Sequence, residues 1–345
     1  MTGDVVEWAR ALDEADPFSG KWECFKRSPG EIYLDGNSLG PLQVGLTSAL
    51  ASRLEYEWGT DKIRSWSEEV WIDLPHRVGR KIAPLIGAGI NDVVVSDSTS
   101  VNLFKVLHQA LALHPDRDVL IVDGTNFPSD RYVAAAVGES MRVDVVPASG
   151  LVEAVERAGD RLACVVAAQV DYRTGARISI DSVTEAAHRA GGVVVWDLSH
   201  SAGVIALRIE EWDVDFAVGC TYKFLNGGPG SPAFVYVAPR YQSRVLSPIP
   251  GWWGDRDRFA MRDTYEPAPR LGRQLVGTPY VVSLTALDLA LDIWEYVDMR
   301  LVESKAATLT ATFMEAFISY GGEGLAEICT PSDPSLRGGQ ISLVH

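Results

Sequence analysis

The sequence predicts an α/β protein built on a mostly parallel, doubly wound sheet. Three observations carry that reading. Short β-branched runs recur through the middle of the chain, as expected of strands buried on both faces. Helical patterns fall between several of them, the alternation that gives a parallel sheet with crossover helices. The 345 residues are 47% hydrophobic, enough to fill the core of one large or two modest domains.

The elements follow in chain order. Strands are expected at 93–96, 119–122, 141–146, 163–168, 193–196 and 216–219, with helices at 101–113, 151–158 and 182–190 among them. After a Gly-Pro-rich turn, 231–237 (SPAFVYV) is expected to add an antiparallel strand. Beyond residue 280 the pattern changes to long helices, 281–296 and 301–320, which predict a smaller second domain of α+β type. The run 340–345 is strand-like but has nothing beside it in sequence to pair with.

Composition excludes some functions. A net charge of −15 argues against a nucleic-acid binder, which needs a basic face. Cys24, Cys164, Cys220 and Cys329 are widely spaced with no C-x-x-C pair, so buried reduced thiols are expected rather than disulfides or a metal site. The N-terminus is acidic and lacks the basic and apolar regions of a signal peptide. No apolar run is long enough to span a bilayer. A cytoplasmic location and no membrane partner are therefore expected.

In open α/β sheets ligands sit beyond the carboxyl ends of the strands, and three strand ends carry chemistry. The first expected strand runs into Asp97, Ser98, Thr99 and Ser100 and then a helix. A hydroxyl-rich turn there offers N–H groups and the positive end of a dipole to a phosphate; alone, it is as well read as a plain N-cap. The strand at 193–196 ends in Asp197, with His200 three residues on. That carboxylate could keep a ring nitrogen protonated; alone, it is a capping Asp beside a loop His. The strand at 216–219 leads to Tyr222 and Lys223. A lysine at a strand end can form a Schiff base, although a lone lysine is usually a solvated surface residue. Together they supply an anion site, a pyridinium partner and a Schiff-base lysine, the parts that pyridoxal 5′-phosphate (PLP) requires.

Six ordered stretches strengthen this: 33–40 (YLDGNSLG), 97–105 (DSTSVNLFK), 126–130 (NFPSD), 172–175 (YRTG), 196–203 (WDLSHSAG) and 219–230 (GCTYKFLNGGPG). Through them the chain resembles the kynureninases, fold type I PLP hydrolases, over essentially its whole length, and the bacterial members most. The resemblance implies that Lys223 holds the cofactor and shuttles protons, with Tyr222 also catalytic. Asp197 pairs with the pyridine nitrogen and Asp130 lies nearby. Phe127 stacks on the ring, with Pro128 and Ser129 in the same stretch completing the cofactor-binding set. Thr99, Ser100 and Tyr222 take the phosphate, and His200 lines the site. Trp252 and Thr278 reach the phosphate of a neighbouring subunit, which implies a homodimer with shared sites. Trp66 meets the aromatic end of the substrate, and Thr60 and Thr278 lie where ring preference is tuned. The implied reaction is hydrolysis of L-kynurenine, or a ring-substituted relative, to anthranilate and L-alanine, in tryptophan catabolism or a specialised pathway. The implied division is an N-terminal segment 1–50 associating with the small domain, a large PLP-binding domain 51–275 and a small domain 276–345.

Two departures from the family pattern stand out. Asp255, in 251–255 (GWWGD), replaces the usual histidine and is expected to alter the charge near the pocket. The family also continues past the equivalent of His345, and the arginine it uses for the substrate carboxylate lies in that segment. Two rival readings share Asp197, His200 and Lys223: a cysteine desulfurase-like lyase, which would need a reactive cysteine on a flexible loop, and a catalytically silent PLP-binding homologue.

Overall fold

The computed structural model describes residues 5–67 and 70–345. The chain opens with α1 (Val5–Glu14) and α2 (Leu46–Leu54), and α2 runs on into a π-helical turn at Glu55–Asp61. Next, α3 (Arg64–Ser67) and α4 (Leu74–Ile82) lead to the first strand, β1 (Val93–Val95). Helix and strand then alternate: α5 (Thr99–Ala112), β2 (Val119–Asp123), α6 (Pro128–Met141), β3 (Asp144–Ala148), α7 (Leu151–Ala158), β4 (Leu162–Ala168), α8 (Ile180–Arg189) and β5 (Val193–Asp197). β6 (Phe216–Gly219) and β7 (Phe234–Val237) complete the large sheet. α9 (Val281–Ala290), α10 (Met299–Ser319), β8 (Glu327–Ile328) and β9 (Leu343–Val344) follow.

The seven strands lie in the order β1-β7-β6-β5-β4-β2-β3. β3, β2, β4, β5 and β6 are mutually parallel, and β7 runs antiparallel to both its neighbours. The expected antiparallel strand is thus present. The burial explains the apolar runs. Val93, Ile121, Val165, Val194 and Ala217 point to one face, under α4, α7, α8 and α9. Val94, Leu120, Val166, Val195 and Val218 point to the other, under α5 and α6. A strand buried on both faces cannot alternate with polar residues. Strand order reverses between β2 and β4, so a crevice opens there beyond the carboxyl ends.

Three expectations change in the structure. The strand expected at 141–146 is β3, which starts at Asp144, because Met141 closes α6 and Arg142 turns the chain with a left-handed φ of 59°. The long helix expected at 281–296 stops at Ala290 and tightens into a 3₁₀ turn at Leu291–Trp294. The strand-like run at 340–345 does find a partner: β9 pairs antiparallel with β8.

The C-terminal part is tied to the sheet domain close to that crevice. Ala176 bridges Arg337, the Arg177 amide donates to the Leu336 carbonyl at 2.9 Å, and the Gly338 amide to the Gly175 carbonyl at 2.8 Å. α1 packs on α10 and α2 on α9. The four cysteines are unpaired, Cys164 and Cys220 buried and Cys24 and Cys329 partly so. Among the described residues no helix is long and apolar enough to cross a membrane.

Candidate active site

The strand ends converge on one cavity of about 290 Å³, near the lower end of ligand-pocket sizes. β1 delivers Ser98, Thr99 and Ser100; β2 delivers Thr125, Phe127, Ser129 and Asp130; β5 delivers Asp197, Ser199 and His200; β6 delivers Tyr222 and Lys223. Ala168, the last residue of β4, and Val170 and Tyr172 just after it line the cavity as well.

Each side chain is held by local geometry. Ser98 caps α5, its hydroxyl accepting from the Val101 amide at 3.4 Å, which leaves the first-turn amides of α5 at the cavity. Asp97, just before it, sits at a left-handed φ of 53°. It stays there because Ser96 Oγ and the fully buried Lys105 Nζ both donate to its Oδ2, at 2.8 and 2.7 Å. Asp197 is aimed by the Ser199 amide, which donates to Oδ1 at 2.7 Å. The Ser199 hydroxyl in turn accepts from the Cys220 amide at 3.1 Å, tying the ends of β5 and β6 together. The Lys223 turn rests on residues 33–40: the Gly40 amide donates to the Tyr222 carbonyl at 2.8 Å, and any side chain at Gly40 would collide with the Lys223 carbonyl.

The electrostatics divide the carboxyl groups. Asp130 is pushed up to about 9, first by burial and then by the neighbouring Asp197 carboxylate. Its Oδ2 is buried and has no protein partner. His200 is pushed down to about 4, first by burial and then by the Lys223 ammonium; Lys223 Nζ lies 2.7 Å from its Nε2. Burial raises the Tyr222 phenol to about 12, so it remains a protonated donor. Phe127 is exposed at the mouth and meets Tyr172 edge-on at 4.9 Å between ring centroids. This set fits PLP: amides and hydroxyls for a phosphate, carboxyls for a ring nitrogen, an amine for an aldehyde, and an orphaned carboxyl oxygen at the wall.

Nine of the residues singled out in the sequence line this cavity: Thr99, Ser100, Phe127, Ser129, Asp130, Asp197, His200, Tyr222 and Lys223. Pro128 lies behind them as the first residue of α6. Trp252, Thr278, Trp66 and Thr60 are elsewhere in the chain. Trp252 is 41% exposed and Thr278 is also exposed. Thr60 is exposed in the π-helical turn. Trp66 lines a separate apolar groove of about 870 Å³ with Trp58, Ile63, Trp71 and Val281. Asp255 is not among the residues lining this cavity. Its carboxylate accepts from the Asp257 and Glu266 amides and from Arg262, which hold it at about 2 and staple the 255–267 loop. Thr125 was missed, although it follows the end of β2 as the strand-end rule requires. So was Gln340, whose Oε1 lies 2.9 Å from His200 Nδ1.

A family model described as aminotransferase class-V matches residues 71–335. Among solved structures, the apo cysteine desulfurase of Thermococcus onnurineus NA1 superposes with a TM-score of 0.77 over 97% of this chain and 82% of that one, at 16% identity. A C-DES mutant with glycine covalently linked to its PLP cofactor gives a TM-score of 0.75 over 89% and 82%, at 14% identity. Fold and site thus define a PLP-dependent enzyme with the class-V aminotransferase architecture. Curated relatives are more specific: a kynureninase of Deinococcus radiodurans is 44% identical over 97% of this chain and 83% of its own length, and one of Burkholderia mallei is 39% identical over 98% and 83%. The chain belongs to the kynureninase family.

Proposed function

We propose that the chain hydrolyses the Cβ–Cγ bond of L-kynurenine, or a ring-substituted kynurenine, to give anthranilate or its analogue and L-alanine. Family membership names the reaction, and the single observation that carries it to these residues is the convergence of Lys223, Asp197 and the α5 N-terminus on one cavity. Bound PLP supplies an electron sink at the substrate α-carbon.

The chain's own groups do the rest. Thr99 and Ser100 offer hydroxyls and first-turn amides to the phosphate, and Tyr222 adds a phenol that stays protonated. Asp197, aimed by Ser199, holds the ring nitrogen cationic. Asp130 beside it, pushed up to about 9, stays neutral at pH 7. Phe127 offers its ring face at the mouth. Lys223 holds the cofactor, takes the α-proton and later returns a proton to the product carbon. His200, kept neutral, accepts from Lys223 without competing as a base.

The remaining assignments belong to the same proposal. Trp252 and Thr278 face the cavity of a second copy in a homodimer with shared sites. Trp66 meets the aromatic end of the substrate, and Thr60 lies where ring preference is tuned. Residues 1–50, 51–275 and 276–345 form the N-terminal segment, large domain and small domain, and the enzyme works in the cytoplasm. The desulfurase-like alternative has less support, because the curated relatives are kynureninases and no cysteine is among the described residues that line the cavity.

Incubation with PLP and L-kynurenine is expected to yield anthranilate and alanine in equal amounts, and incubation with L-cysteine to yield no sulfide. Sulfide from cysteine with no anthranilate from kynurenine would transfer the assignment to the lyases.

A further inference from the structure

We propose that Gln340 is a positioning residue that fixes the ring tautomer of His200 and so keeps a bare nitrogen facing Lys223. This rests on the reading of Lys223 as the cofactor lysine.

The polarity of the contact follows from one backbone carbonyl. Gln340 Nε2 lies 2.9 Å from the Tyr172 carbonyl oxygen. A carbonyl can only accept, so the amide nitrogen must face it and Oε1 must face the other way. There Oε1 lies 2.9 Å from His200 Nδ1 and 3.5 Å from Asn37 Nδ2. An amide oxygen cannot donate, so Nδ1 carries the hydrogen and, in the neutral ring, Nε2 is left with its lone pair. That lone pair lies 2.7 Å from Lys223 Nζ and accepts from it. Every link from Tyr172 to Lys223 therefore has a fixed direction. The charged groups acting on His200 are Lys223, Asp197 and Asp171, and none of them touches Nδ1 in place of Gln340.

The clamp is built by backbone from both sides. Gly338 and Leu336 bond to Gly175 and Arg177, which seats the 336–340 segment against the 172–177 loop. Gly175, at φ 72°, closes that loop, and a Cβ there would lie 3.0 Å from the Gln340 carbonyl oxygen and 3.1 Å from its Cγ. The YRTG stretch thus has a physical role, in which the Tyr172 carbonyl orients Gln340 and Gly175 lets it come close. Gln340 itself is buried. Because it approaches from beyond α10, it makes the His200 tautomer depend on the C-terminal segment being docked.

The test is ¹⁵N NMR of the holoenzyme labelled at histidine, with the His200 signals identified by their loss in His200→Gln. The wild type is expected to show Nδ1 protonated and Nε2 bare. Gln340→Glu keeps an acceptor at Nδ1; it should retain that tautomer and raise the His200 titration midpoint by roughly 1–3 pH units. Gln340→Met removes the acceptor and should lose the preference. Gly175→Ala, which touches neither ring nitrogen, should weaken it and still reports if Gln340→Met fails to fold. A merely structural Gln340 would leave the tautomer unchanged in both Gln340 variants. An Nε2–H ring in the wild type, or a wild-type pattern in Gln340→Met and Gly175→Ala, overturns the proposal. Failure of the cofactor-lysine reading is separate: it would appear as reduced cofactor attached to a lysine other than Lys223.

Discussion

Asp130 and Asp197 are two buried carboxyls that cannot both ionise cheaply, and burial followed by the neighbouring Asp197 pushes Asp130 up to about 9. Asp197→Asn removes the charge and is expected to retain cofactor while losing about 10²–10³-fold in kcat/KM, the order seen when one preorganised electrostatic partner is deleted. Asp130→Asn replaces a group already neutral at pH 7 and should cost far less. Steady-state kinetics on the two variants check this, and equal losses would show that the proton is shared differently. A second residue-level expectation lies under the sheet. His188 is raised from its ordinary value chiefly by the hydrogen bond to the buried Asp215, 2.9 Å away, against an opposing effect of burial. A raised histidine stabilises the fold fully below its unfolded value of about 6.5 and loses that stabilisation as pH rises through the folded value. The melting-temperature difference between wild type and His188→Gln should therefore be largest in mild acid and shrink at alkaline pH. A difference that grows with pH would contradict the pairing.

At the scale of elements, α5 carries its own anchor. Lys105, two turns into the helix, is fully buried and donates to Asp97 Oδ2 and to the Gln274 carbonyl, both at 2.7 Å. It holds the strained residue that starts the phosphate turn and ties it to the segment leading to Thr278. Lys105→Met strands a mostly buried carboxylate and is expected to destabilise the chain by about 3–5 kcal/mol, read as a lower melting temperature together with weaker PLP retention. Asp97→Asn in the same background should recover part of the loss; no recovery would mean that Lys105 acts through packing alone. The strands were legible because burial on both faces leaves continuous apolar runs, and the cavity was legible because parallel strands discharge their functional residues at one edge. Gln340 was not, since it meets His200 across 140 residues of sequence and belongs to no motif around the lysine. Asp255, two residues after Trp253, folds its carboxylate back into its own loop, a contact that the short GWWGD stretch does not reveal. Two-residue strands such as β8 and β9 carry too little pattern to be paired from sequence.

Across the whole molecule, several large apolar side chains are left outside the core. Trp58 is 65% exposed, Met261 68% and Trp252 41%, and Tyr56, Phe259 and Tyr280 are exposed as well. Aromatic residues are enriched at interaction surfaces. A cofactor held by two chains stabilises their association by mass action, so PLP is expected to lower the dimer dissociation constant and Trp252→Ala to weaken both dimerisation and PLP retention. Sedimentation of apo and holo protein across a dilution series decides this; a monomer that keeps its PLP would remove Trp252 and Thr278 from the site. The claim on which all of this stands is that Lys223, at the end of β6, holds the cofactor. The most direct measurement is borohydride reduction of the PLP-loaded chain followed by peptide mapping. The expected result is one phosphopyridoxyl label, on Lys223. A label on Lys105 or on any other lysine would contradict it.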